Sequence, residues 1–252
     1  MNKLFLDVGN SRVKIALVSK GGYEVLPAVE LSNFLTGEGF DHLLKGKKIE
    51  AVYIASVTSH ENLERLKLFV QDKCRLFPII LTAQTSACGL VSGYQDFHQL
   101  GDDRWMAMQG AIGFYKEPLI VISAGTAMTV DAVMDGKHLG GFIVPGLDSL
   151  RASLAMDTAA LSVVEDVDSE DVIPGLLAKN TETAILGGTL YMTVAYLNTI
   201  IADLNTQLKT SFKIILTGGN AKQLSVLIDG QSEVIPDLIL QGMVNIEESV
   251  KK

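Results

Sequence analysis

Three short stretches of this chain concentrate residue types that grip phosphate and move protons. Asp7-Val8-Gly9-Asn10-Ser11 places a carboxylate at the end of an apolar run, followed by a glycine, an amide and a hydroxyl. Such a carboxylate can hold a hydrated Mg²⁺, and the turn can present backbone N–H donors to phosphate oxygens. The same residues also suit an ordinary β-turn in which Asp7 satisfies its own loop. Gly101-Asp102-Asp103-Arg104-Trp105 sets a base beside an anion-orienting guanidinium, at a helix start whose free N–H groups add donors. Helix capping by Asp102 or Asp103, with a surface ion pair to Arg104, is the alternative there. In Ser123-Ala124-Gly125-Thr126-Ala127-Met128-Thr129-Val130-Asp131, Thr126 is placed to donate to a phosphate oxygen. Gly140-Gly141 through Pro145-Gly146 and Thr217-Gly218-Gly219-Asn220 are further glycine turns, suited either to close ligand approach or to plain chain reversal.

The elements that must position these residues repeat themselves. Residues 3–18 read as an apolar strand, a tight turn with one glycine and small polar residues, and a second strand. Residues 119–133 read the same way. Each copy then reaches a turn, Lys20-Gly21-Gly22 or Asp135-Gly136-Lys137, and a third strand over 23–31 or 138–144. Internal repetition of this kind points to two halves of one topology facing each other across a cleft. Between the copies, 49–57 and 78–81 read as strands and 62–72 as a helix. The stretch 82–100 is irregular, and 103–115 is a helix that ends before Pro118. That proline suggests a boundary, with one half over 1–117 and the other over 118–252. In the second half, helices are expected after Gly146 to about 157, over 181–204 and over 237–249, with a strand at 212–217. The acidic stretch 162–174 reads as a solvated loop. Strands opening each half, with helices after them, give an α/β class with mixed sheets flanked by helices.

Composition narrows the partners. The chain has 252 residues, 48% of them hydrophobic and 20% charged, with a net charge of -8. Apolar content at that level fits a well-filled globular core. The acidic balance argues against non-specific nucleic-acid binding, which needs a basic face. Two cysteines outside any CxxC pair and four scattered histidines argue for free thiols and against structural zinc. The chain opens on a strand without a signal-peptide pattern, and no apolar run is long enough to span a bilayer, so a cytoplasmic location is expected. There is no Walker A sequence, no dinucleotide fingerprint and no protein-kinase signature. A nucleotide would need another phosphate cradle.

Taken in order, these motifs resemble those of the actin, sugar and acetate kinase, and heat-shock ATPase superfamily. Within it, the chain is similar to type III pantothenate kinases over nearly its whole length. The resemblance rests on Asp7 to Ser11, Tyr94 with Leu100 to Trp105, Gly125-Thr126-Ala127 with Thr129 and Asp131, Gly140 to Gly146, Asn180-Thr181, and Thr217 to Gly219. It implies two ribonuclease H-like halves with the active site between them, and ATP-dependent phosphorylation of the pantothenate 4'-hydroxyl on the way to coenzyme A. It also implies roles. Asp7, Val8, Gly9, Asn10, Ser11, Arg12, Val13, Lys14 and Thr126 would bind ATP, with Asp7 on Mg²⁺. Tyr94, Gly101, Asp102, Asp103, Arg104 and Thr181 would bind pantothenate, and Asp103 would accept the hydroxyl proton. A homodimer is implied too, and Gly187-Gly188 offers a small-residue patch for close helix packing. One position departs from the family pattern. Where an aspartate usually binds a monovalent cation, this chain has Ser123, the repeat counterpart of Asp7. Serine lacks the charge to hold K⁺ or NH₄⁺ strongly. Weaker cation dependence, a substitute ligand, or a homologue of reduced activity would each follow. A regulatory, non-catalytic homologue and a kinase of another small hydroxy acid are the competing readings.

Overall fold

The computed structural model describes residues 1–37, 40, 44, 46–157 and 177–250. The chain divides into two compact units. One comprises residues 1–116, 136–138 and the C-terminal segment from Asp237. The other comprises 117–135 and 139–236. The second unit thus begins at Glu117, leaves residues 136–138 to the first unit and ends at Pro236, after which the C-terminal helix belongs to the first unit.

The first unit is built around β1 (Lys3–Val8), which is buried throughout. It pairs antiparallel with β2 (Arg12–Ser19) and parallel with β4 (Ala51–Ser56). With β3 (Gly22–Glu30) and β5 (Ile79–Ile80) the sheet order is β3-β2-β1-β4-β5. Strand alternation sends Leu4, Leu6 and Val8 to one face. There they join the core with Phe34 of α1 (Leu31–Thr36) and Leu66 and Val70 of α2 (His60–Cys74). Lys3, Phe5 and Asp7 share the opposite face. Phe5 stacks on Tyr53 of β4 at 4.9 Å. The Lys3 ammonium bonds Glu247 at 2.6 Å, a buried ion pair with α7 (Leu238–Ser249). So the face that carries Asp7 is the one that α7 covers.

α7 lies in turn against α3 (Asp102–Phe114), and glycines let the two backbones meet. A methyl group at Gly110 would overlap the Leu238 carbonyl oxygen, and one at Gly242 would overlap the Met106 carbonyl oxygen. The stretch expected to be irregular contains a small hairpin, β6 (Ser86–Ala87) with β7 (Leu90–Val91), and a 3₁₀ turn over Phe97–Gln99. Strands of two residues are too short to show an alternation pattern in sequence.

The second unit repeats the topology of the first. β8 (Leu119–Ala124) pairs antiparallel with β9 (Ala127–Met134) and parallel with β11 (Lys213–Thr217), which pairs parallel with β12 (Ser232–Val234). With β10 (Lys137–Pro145) the strands β10-β9-β8-β11-β12 repeat the order of the first sheet strand for strand, and this seven-stranded sheet continues past β10 to β7 and β6, joined at Lys137↔Val91. Asp7 and Ser123 are each the penultimate residue of the first strand of their repeat. The core here gathers Ile120, Ile122, Val130, Ile214 and Leu216 with residues of α5 (Thr181–Leu208). α4 (Leu147–Asp157) and the short α6 (Ala221–Ser225) complete the unit. By length and composition α5 is apolar enough to cross a bilayer, contrary to the sequence expectation. Polar residues are interspersed, which broke up any continuous apolar run. In the structure Leu186, Thr193, Leu197 and Ile201 are buried in the unit, while Tyr191 and Met192 are exposed. The acidic stretch 162–174 lies outside the described residues.

Candidate active site

Asp7 reaches its place because β1 is a fully buried strand that ends at Val8, directly before a tight turn. The Gly9 amide donates to the Arg12 carbonyl at 3.0 Å, which closes the β1–β2 turn and sets Lys14 opposite Asp7 in the ladder. Burial raises the Asp7 carboxyl from its ordinary 3.8 to about 6. Lys14 pulls it down and the Asp103 carboxylate pushes it up, so the two aspartates lie within electrostatic reach of each other. Asn10, Ser11 and Arg12 are exposed at the turn, and Arg12 is paired with Glu30 at 2.8 Å. Val8 and Val13 are core side chains, which leaves only their main chain for the expected ATP contact.

The second group sits at the start of α3. Gly101 is the N-cap, and its side makes room for Asp103, whose Oδ1 would lie 2.7 Å from a Cβ there. Neither aspartate is the N-cap residue, the place the alternative reading gave them. Asp102 Oδ1 accepts the Ala83 amide at 2.7 Å, and burial pushes its carboxyl above the usual range, opposed by that bond and assisted by Asp103. Asp103 Oδ1 accepts the Arg104 amide at 2.8 Å. Arg104 is not a surface ion-pair partner either: it is 2% exposed, and Nη1 donates to the Tyr94 hydroxyl at 2.6 Å. Its guanidinium also lies 5.5 Å from the Tyr94 ring centroid, close enough for a cation–π contact. Tyr94 stacks in turn on the buried His138, centroids 5.7 Å apart and planes 16° apart. Asp7, Tyr94, Gly101, Asp102, Asp103 and Arg104 thus belong to one unit. Their arrangement offers a carboxylate pair for a proton and a cation, next to a held guanidinium for an anionic substrate.

His138 and Ala83 escaped the sequence reading. Both act through long-range contacts, and the sole hint was His138 lying just past the Asp135-Gly136 turn.

The second unit holds the remaining expected residues. Thr126 is exposed in the β8–β9 turn, where its carbonyl accepts the Gly146 amide at 2.9 Å and the Ser149 hydroxyl at 2.7 Å. Gly146 has no room for a side chain, because a methyl would overlap the Gly125 carbonyl. Thr181 is exposed at the first turn of α5, whose N-cap Asn180 accepts the Thr183 amide at 2.8 Å. Ser123 pairs with Thr129 on one side and Thr217 on the other, a row of three hydroxyl residues across β9, β8 and β11. Gly218, at φ 99°, turns the chain against Ala124 after β11. A cavity of about 710 Å³ among Asn198, Asn205, Lys213, Asp229 and Glu233 includes none of these residues.

Comparison with known proteins gives a consistent answer. Residues 3–203 match the family model described as type III pantothenate kinase. A protein of that name from Hydrogenovibrio crunogenus is 40% identical over 248 residues, 98% of this chain and 99% of that protein. Another from Nitrosococcus oceani is 32% identical over 260 residues, 99% of this chain and 95% of that protein. Among solved structures, a Baf family protein from Campylobacter jejuni aligns with TM-score 0.62 at 22% identity, covering 98% of both chains. MreB 5 of Spiroplasma citri, solved with AMPPNP, aligns with TM-score 0.52 at 12% identity, over 99% of this chain and 97% of that one. At those identities the two structures speak for the actin-like fold alone.

Proposed function

The chain belongs to the type III pantothenate kinase family, and from that premise we propose how its own residues carry the transfer. Like its relatives it is an ATP-dependent kinase that phosphorylates pantothenate at its 4'-hydroxyl, the first step towards coenzyme A. In the proposal, Asp103 accepts the hydroxyl proton and aligns the oxygen for attack on the γ-phosphorus. Arg104, held by Tyr94, receives the pantothenate carboxylate, and Tyr94, Gly101, Asp102 and Thr181 are the other pantothenate-binding residues that the family pattern implies. The β1–β2 turn from Asp7 to Lys14 and Thr126 bind the ATP phosphates. Phosphoryl transfer asks little covalent chemistry of a protein; alignment and charge neutralisation supply most of the rate. The observation that supports the assignment best is the pair Asp7 and Asp103, one at a strand end and one at a helix start, each within the other's field.

Asp7 fits Mg²⁺. Its carboxylate is buried and costly to ionise on its own, which a cation would relieve. Bound with ATP, the ion would neutralise phosphate charge. The Ser123 position does not fit a tightly held K⁺ or NH₄⁺, because Thr217, Ser123 and Thr129 bring hydroxyls and no carboxylate. We therefore propose weak dependence on a monovalent cation. The proposal is completed by a cytoplasmic homodimer, with the exposed Tyr191 and Met192 face of α5 as the packing surface.

The experiment is a coupled ADP-release assay with ATP, Mg²⁺ and a panel of small hydroxy acids, run in K⁺ and in Na⁺. Turnover confined to pantothenate and little changed between the salts supports the account. Turnover with a different acid, or none with pantothenate, defeats it.

A further inference from the structure

We propose that Cys88 is a site of mixed-disulfide formation with a small, amide-bearing disulfide seated in the cavity between α3 and α7. The inference is independent of the kinase assignment.

The two cysteines occupy different settings. Cys74 is half-buried and packs against the core of the N-terminal unit. Cys88 is exposed at the tip of the β6–β7 hairpin. Ala87 pairs with Leu90, so Cys88 and Gly89 form a two-residue turn, and both have positive φ, 48° and 85°. Such turns select Asn-Gly or Asp-Gly; a cysteine in the left-handed region gains nothing from the turn geometry. The Cys88 thiol, a weak donor, bonds the Asn245 carbonyl at 3.5 Å.

That thiol borders a cavity of about 350 Å³ lined also by Gln109, Lys116, Asn245 and Glu248. The volume is in the range of small-molecule sites. Gln109 is wholly buried. Its Nε2 donates to the Ala87 carbonyl at 3.1 Å, which ties the hairpin to α3, but its Oε1 accepts no hydrogen bond among the described residues. A buried acceptor left without a donor is costly. A ligand N–H entering the cavity would satisfy it; Lys116, whose ammonium already donates to the Ile112 carbonyl at 2.9 Å, and Glu248 place opposite charges at the cavity for a zwitterionic end. The occupant is therefore a thiol compound carrying an amide.

The chemistry balances without a metal or a further oxidant. The Cys88 thiolate attacks one sulfur of the disulfide. The Cys88–S bond forms, the original S–S bond breaks, and the departing thiolate takes the electron pair and the proton that Cys88 gave up. Cys88 is oxidised and the released half is reduced.

The test incubates the intact chain with glutathione disulfide, or with 2-hydroxyethyl disulfide, which lacks an amide. Adducts are located by mass spectrometry, and rates are normalised to those of N-acetylcysteine with each reagent. The expected result is one adduct on Cys88, kept in Cys74→Ser and absent in Cys88→Ser. The normalised rate should be about fivefold or more greater for glutathione disulfide, as one captured hydrogen bond would give. An adduct formed first on Cys74, or equal normalised rates for the two disulfides, would overturn the proposal.

Discussion

Replacing Asp7 by asparagine should make the unliganded protein more stable while disabling it. Asp7 is 9% exposed, and burial raises its carboxyl from 3.8 to about 6. The folded value lies above the unfolded one, so the folded chain binds this proton more tightly. The stability the group contributes is complete below about pH 3.8 and is lost as the pH rises through about 6. At about 1.36 kcal/mol per pH unit over that interval, the loss comes to roughly 3 kcal/mol. Asparagine keeps the shape and carries no charge, so it escapes that loss. For a chain of this size the gain corresponds to about 6–12 °C in Tm. The assay is thermal unfolding of wild type and Asp7→Asn from pH 4 to 8 without nucleotide or Mg²⁺, together with ADP release. The two Tm curves should converge near pH 4, separate through pH 6 and run parallel above pH 7, with the variant on top. Turnover should fall by about 10²-fold or more, since the carboxylate that would hold Mg²⁺ is gone. A gap that does not change with pH, or a variant less stable than wild type at pH 8, would refute the reasoning.

Further outcomes follow from other contacts. Gly242→Ala would press a methyl onto the Met106 carbonyl and lie 2.8 Å from the Gly110 nitrogen, backbone on both counts. We expect α3 and α7 to be forced apart at a cost of about 3 kcal/mol, and an unchanged urea midpoint would contradict this. Tyr94→Phe removes the 2.6 Å bond to Arg104 but keeps the ring on His138. The KM for pantothenate should rise by about tenfold, the worth of one hydrogen bond to a charged group, and KM at the wild-type value would count against Arg104 as the carboxylate partner. Ser123→Asp returns a carboxylate between Thr129 and Thr217 and should make turnover respond to K⁺ over Na⁺; equal rates in the two salts would dispose of this account of the position.

Much of the fold could be read from sequence because its key strands are short-range objects. Lys3 to Val8 and Leu119 to Ala124 are apolar runs, each closed by a turn with one glycine, and their likeness foretold the five-strand order that the two sheets share. The α3 start was legible too, since Gly101-Asp102-Asp103 ends an irregular stretch ahead of a helical pattern. Chain order could not say which sheet α7 covers. That is decided by Gly110 and Gly242 letting two helices touch by backbone, and by the buried Lys3–Glu247 pair, contacts that span more than 130 residues. The side chains around Arg104 were hidden for the same reason. Tyr94 comes from a loop, His138 from the start of β10, and their stacking has no local signature. Arg104 beside two aspartates suggested a surface pair, yet its bond goes to Tyr94 and it is buried.

The central claim is that Asp103 takes the proton of the pantothenate hydroxyl, and Asp103→Asn tests it most directly. The Arg104 amide bonds Asp103 Oδ1 at 2.8 Å, a bond that an asparagine oxygen also accepts, so the helix start should survive. With Tm within a few degrees of wild type, we predict that kcat falls by about 10²-fold or more while KM for ATP stays near its original value. A folded Asp103→Asn enzyme that phosphorylates pantothenate at nearly the wild-type rate would contradict the account.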